Sequence, residues 1–127
     1  MARILAIDDD PDMRTLLEQT LTSAGYQVVL AADGREGIER QRKAPADLVI
    51  TDIYMPNLDG LETISQLRHH FGKVAIIAMS GRETSATMLS IAEKLGAVAT
   101  LQKPFTAEEL LVAVSKALER NDTKSGS

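Results

Sequence analysis

The 127-residue sequence predicts an α/β fold, a three-layer (βα)5 sandwich built on a parallel five-stranded sheet. Two observations predict it. Short apolar runs alternate with amphipathic stretches five times along the chain, and the first, third and fourth runs are almost continuously apolar. Strands alternating with helices imply right-handed βαβ crossovers and a parallel sheet. Nearly unbroken apolar strands belong in a sheet covered on both faces. Five such units in this length fit a flavodoxin-like open sheet of strand order 2-1-3-4-5.

The elements follow in order. The first strand covers residues 4–7. Behind it, Met13, Leu16, Leu17, Thr20, Leu21 and Ala24 recur at three- and four-residue intervals, a helical stripe that faces a sheet. Asp10 caps that helix, Pro11 suits its first position and Gly25 stops it. The second strand spans 27–31, and the second helix opens at Asp33-Gly34 and runs to about Lys43. Strand 48–51 leads to a third helix near 58–70, and strand 74–79 to a fourth near 84–95, closed by Gly96. The last strand is 98–101 and the last helix 107–120. Residues 121–127 are polar throughout and are expected to form a disordered C-terminal tail, leaving one domain over 1–120.

Composition narrows the function. Fourteen basic against 18 acidic residues give a net charge of −4, which favours neither nucleic acid nor an anionic membrane as a partner. There are no cysteines, so disulfides, thiolate metal sites and cysteine nucleophiles are excluded. No run approaches the ~18 uninterrupted apolar residues of a membrane span, and Arg3 to Ile7 followed by three aspartates is no signal peptide. The expected location is the cytosol.

In an open parallel sheet the ligand site forms at the carboxyl ends of the strands. Asp8 and Asp9 end the first strand, Asp52 the third and Ser80 the fourth, while Lys103 follows the fifth. Strands one and three are neighbours in the predicted order, so three carboxylates converge on one rim. Such a group repels itself unless a cation joins it, and all-oxygen ligands favour a hard ion such as Mg²⁺. A hydroxyl and an ammonium opposite suit a phosphoryl group, with a carboxylate available as nucleophile. Taken singly these residues have plainer explanations: Asp10 and Asp12 as a cap and a first-turn charge, Ser80 as a loop hydroxyl, Lys103 as a solvated charge. His69 and His70 sit at a predicted helix end, where the helix dipole and solvent account for them.

At these positions the chain resembles the receiver domains of two-component response regulators, in the single-domain, chemotaxis-regulator-like form. The pieces that carry the resemblance are Ile4-Leu5-Ala6-Ile7-Asp8-Asp9-Asp10, Leu48-Val49-Ile50-Thr51-Asp52-Ile53-Tyr54-Met55-Pro56-Asn57-Leu58-Asp59-Gly60, Ala78-Met79-Ser80-Gly81 and Gln102-Lys103-Pro104-Phe105. The resemblance implies a signalling switch rather than an enzyme. Asp52 would accept a phosphoryl group from a sensor histidine kinase or a histidine phosphotransfer protein. Asp8, Asp9, Asp52 and the Tyr54 backbone carbonyl would hold Mg²⁺, and Ser80 and Lys103 would contact the phosphoryl group. It also implies that Lys103-Pro104 is cis, that Tyr54 and Arg82 border the path of attacking water, and that Met13 either packs in the core or touches the phosphodonor. Family members carry a large ring where this chain has Thr100, so switching here would rest on Ser80. The output protein is not specified by the sequence.

Three other readings fit the chain less well. An aspartyl-phosphate phosphatase or phosphotransferase of the haloacid dehalogenase type carries a second aspartate two residues after its nucleophile, where this chain has Tyr54. A flavodoxin needs a hydroxyl- and glycine-rich phosphate loop after the first strand, where this chain has three aspartates. A phosphorylation-independent scaffold would have no use for a complete pocket.

Overall fold

The apolar runs sort themselves by alternation. The computed structural model of the chain describes residues 2–55, 59–82 and 84–126, with 121–126 described in backbone only. In chain order the elements are β1 (Arg3–Ile7), α1 (Pro11–Ser23), β2 (Gln27–Ala31), α2 (Gly34–Lys43), β3 (Leu48–Asp52), α3 (Gly60–His70), β4 (Ala75–Ser80), α4 (Ala86–Leu95), β5 (Ala99–Gln102) and α5 (Ala107–Gly126). The five strands form one parallel sheet of order β2-β1-β3-β4-β5, as predicted.

Successive side chains of a strand point to opposite faces, so one apolar run feeds two cores. Ile4 and Ala6 of β1, Leu48 and Ile50 of β3, and Ala75, Ile77 and Met79 of β4 meet Leu17 and Leu21 of α1 and Leu110, Val114 and Ala117 of α5. Their neighbours Leu5, Ile7, Val49, Ile76 and Ala78 meet Ile38 of α2, Ile64 and Leu67 of α3, and Ala92 of α4. The sheet is therefore the middle of three layers, and its central strands β3 and β4 are buried along their whole length.

The helix ends follow local chemistry. Asp10, Asp33, Asp59 and Ser85 each sit in extended backbone and accept from an N–H of the first turn that follows. Gly25 and Gly96 take positive φ at the exits of α1 and α4, which a side chain would resist.

Strands β1, β3, β4 and β5 differ from the sequence reading by one residue at one or both ends, and three helix boundaries differ as well. Helix α4 starts at Ala86 rather than at 84, because the Thr84 hydroxyl oxygen accepts from the Gly81 N–H and leaves Ser85 to cap the helix. Asp59 caps α3, and Leu58, where that helix was expected to open, lies outside the described residues. Helix α5 runs to Gly126, past Arg120 where that helix was expected to end, a stretch without proline to interrupt the backbone ladder.

Candidate phosphoryl and cation site

Asp52 is the last residue of β3 and pairs with Met79 in β4; Ser80 is the last of β4 and pairs with Gln102 in β5. Both are buried, as is Asp8 directly after β1. Strand pairing thus reaches one residue beyond the apolar runs and holds these side chains on rigid backbone. The Asp8 N–H donates to Ala31 O at 3.1 Å, the Ile53 N–H to Met79 O at 3.1 Å and the Lys103 N–H to Ser80 O at 2.8 Å, so the rim is tied on every side.

Among the described residues, carboxylate oxygens of Asp8, Asp9 and Asp52 lie within 4.8 Å of one another. Asp9 is exposed and the other two are buried. Lys103 reaches over from the β5–α5 connection, its Nζ donating to Asp8 Oδ2 at 2.8 Å and to Asp52 Oδ2 at 2.9 Å. The remaining carboxylate oxygens of these two aspartates are also used: Asp8 Oδ1 accepts from the Asp10 N–H at 2.9 Å and Asp52 Oδ1 from the Tyr54 N–H at 3.1 Å. The Lys103-Pro104 peptide is cis, as the resemblance implied.

Burial pushes the Asp8 carboxyl above its usual range, although Lys103 and the Asp10 N–H pull the other way. Burial also draws the Lys103 ammonium down, but its hydrogen bonds to Asp8 and Asp52 outweigh this and leave it above its ordinary value. One ammonium is thus shared between two buried carboxylates, with the Asp9 carboxylate beside them, so the acidic groups at this rim outnumber the basic one. An all-oxygen donor set with uncompensated negative charge fits a hard divalent cation.

The other predicted residues are distributed as follows. Tyr54 contributes its N–H to Asp52, while its side chain is 58% exposed at the mouth of the site. Arg82 is exposed in the turn after β4. Thr100 is exposed on β5 in register with Ala78, two residues before the end of β4, and so lies off the carboxylate cluster. Met13 is half-buried against the core between the sheet and helices α1 and α5. His69 and His70 are exposed at the end of α3 that leads into the start of β4, the far end of that helix from Asp52.

Two contributors escaped the sequence reading. Gly60 packs directly on the Asp52 backbone: a Cβ there would lie 2.0 Å from Asp52 O. Arg14 Nη1 donates to the Asp8 carbonyl at 2.7 Å. A signal for Arg14 existed, since a cation in the first turn of α1 opposes the helix dipole and needs a partner elsewhere.

A family model described as the response regulator receiver domain matches residues 4–115. The chain belongs to that family. As a receiver domain it is 37% identical over 124 residues to response regulator MprA of Mycolicibacterium vanbaalenii, covering 98% of this chain and 53% of that protein. It is 31% identical over 120 residues to the alkaline phosphatase synthesis transcriptional regulatory protein PhoP of Bacillus subtilis, covering 94% of this chain and 50% of PhoP. The receiver domain thus spans about half the length of these curated relatives. Among solved structures, the chemotaxis protein CheY4 of Vibrio cholerae superposes with a TM-score of 0.86 at 35% identity, covering 92% of this chain and 98% of that one. A receiver domain protein from Clostridium thermocellum gives 0.90 at 30% identity, covering 97% and 98%. The fold and the regulatory class expected from the sequence are those of this family. No helix among the described residues is long and apolar enough to cross a membrane.

Proposed function

We propose that this receiver domain is switched by phosphorylation of Asp52. The observation that carries the reading is the Lys103 ammonium held between Asp52 and Asp8 at the rim where three carboxylates converge. The donor is a sensor histidine kinase or a histidine phosphotransfer protein of the cytoplasm. The phosphoryl group leaves a phosphohistidine nitrogen as the N–P bond breaks and an O–P bond forms to an Asp52 carboxylate oxygen. The freed imidazole takes up a proton. Asp8, Asp9, Asp52 and the Tyr54 carbonyl would hold Mg²⁺, which when bound neutralises charge on the phosphoryl oxygens. Lys103 is within reach of the same group and supplies a second positive charge, and the Ser80 hydroxyl donates to it from the end of β4.

Phosphorylation exchanges a carboxylate for a near-dianion beside β4. Ser80 and the turn after it, ending at the Ser85 cap of α4, respond by moving toward the group, and a partner that prefers the resulting face shifts the population. Thr100 offers no ring to gate that movement, so the coupling runs through Ser80. Tyr54 and Arg82, exposed beside the rim, shield the acyl phosphate from water. Output follows from binding a further protein or passing the phosphate on.

Incubation with acetyl phosphate and a magnesium salt should add one phosphate by intact mass, and Asp52→Asn should abolish it. Labelling of that variant at the wild-type rate would refute the assignment.

A further inference from the structure

Asp8 has all its polar atoms engaged, and one of these contacts serves neither the sheet nor the carboxylates. Its N–H joins the ladder to Ala31, its Oδ1 takes the Asp10 N–H and its Oδ2 takes Lys103. Its backbone carbonyl is held at 2.7 Å by Nη1 of Arg14, a half-buried side chain in the first turn of α1. That carbonyl and the Asp9 N–H belong to one planar peptide unit. Asp9 itself is exposed, so burial does not orient it.

We infer that Arg14 is a positioning residue for cation binding: by gripping the Asp8 carbonyl it fixes the peptide between Asp8 and Asp9 and thereby aims the Asp9 carboxylate into the site. The inference rests on the reading of Asp8, Asp9 and Asp52 as the Mg²⁺ ligands. Its sign separates it from the alternative. A guanidinium near three carboxylates competes with a cation, so a purely electrostatic Arg14 would weaken Mg²⁺ binding, and its removal would tighten it. A positioning Arg14 does the reverse. A residue that only stabilises the fold would change the melting temperature and leave the affinity alone.

The test is calorimetric titration of the full, unphosphorylated chain with magnesium chloride at constant ionic strength. Arg14→Met, which keeps the stem and removes the donors, should weaken binding about tenfold, in the range of lost outer-shell contacts. Arg14→Lys, which keeps one donor, should fall between Met and wild type. In an Asp9→Ala background the Met substitution should have almost no further effect, because the group it aims is gone. If Arg14→Met does not fold, Arg14→Gln is read in the same way. Equal or tighter binding by the neutral variant, with wild type binding normally, overturns the positioning role. Absence of Mg²⁺ binding by wild type overturns the cation-site reading itself, and this inference with it.

Discussion

The Lys103 ammonium lies 2.9 Å from Asp52 Oδ2 and is shared with Asp8, a residue 95 positions away in sequence. One cation thus joins the ends of β1 and β3 to the connection after β5. Removing one partner of a buried ion pair leaves the other charge uncompensated, which costs about 3–5 kcal/mol when burial is complete. Lys103 is 22% exposed, so Lys103→Met should cost about 2 kcal/mol in urea unfolding without divalent cation. Magnesium should restore more stability to this variant than to wild type. A variant as stable as wild type, with no larger magnesium response, would contradict the bridging role.

Asp9 and Asp10 are adjacent yet predicted to fail differently. Asp10 caps α1, its side chain accepting from the Asp12 N–H at 3.0 Å. Asp10→Ala should therefore cost about 1 kcal/mol of stability and leave magnesium affinity near wild type. Asp9→Ala should leave the melting temperature almost unchanged and weaken magnesium binding. Calorimetric titration and thermal melts on the two proteins check this, and matching profiles would mean the metal pair is misassigned.

The pH dependence follows from the two raised groups. Asp8 lies above its ordinary 3.8 when folded, so its contribution is fully present below that value and is lost as pH rises through the higher folded value. Lys103 also lies above its ordinary 10.5, so its contribution holds across neutral pH and is lost only as pH rises through a still higher value. Without divalent cation, Asp8→Asn should consequently gain on wild type as pH rises from acid to neutral. Stability curves against pH for the two proteins, with and without magnesium, measure it. A difference that is flat with pH would show that burial of Asp8 carries no cost.

Gly60, the first residue of α3, sits against the end of β3, its N–H donating to Ile53 O at 2.9 Å. A Cβ would stand 2.4 Å from Ile53 Cα as well as against Asp52 O, and both are backbone atoms that cannot swing aside. Gly60→Ala should cost about 3 kcal/mol, at the upper end of overpacking, and slow phosphorylation of Asp52 by displacing it. Denaturant unfolding and intact-mass labelling would reveal both effects, and an unperturbed variant would show that this close approach can open.

Much of this molecule is legible along the chain because its causes are local. Alternating faces of β1, β3 and β4 demand cover on both sides, and Met13, Leu17 and Leu21 demand a sheet, while Leu16 of the same stripe is exposed. The layers therefore follow from period and crossover handedness, and five units in this length fit the strand order found. Asp10 and Asp33 announce helix starts, because a cap bonds to amides two or three residues away. Asp8, Asp52, Ser80 and Lys103 were legible as strand-end residues and as the motif pieces of a receiver domain. Only the tertiary structure decided that Lys103 bridges two of those carboxylates, that Arg14 turns from its own helix to the Asp8 carbonyl, and that Gly60 leaves no room for a methyl group over Asp52. Thr84 and Ser85 show the same division within a single turn: either could cap α4, and the Gly81 N–H engages Thr84, leaving Ser85 to cap. Periodicity and capping are set by neighbours in sequence, whereas the reach of a lysine, the aim of a guanidinium and the clearance over a backbone depend on distances between segments that only the packed sheet brings together.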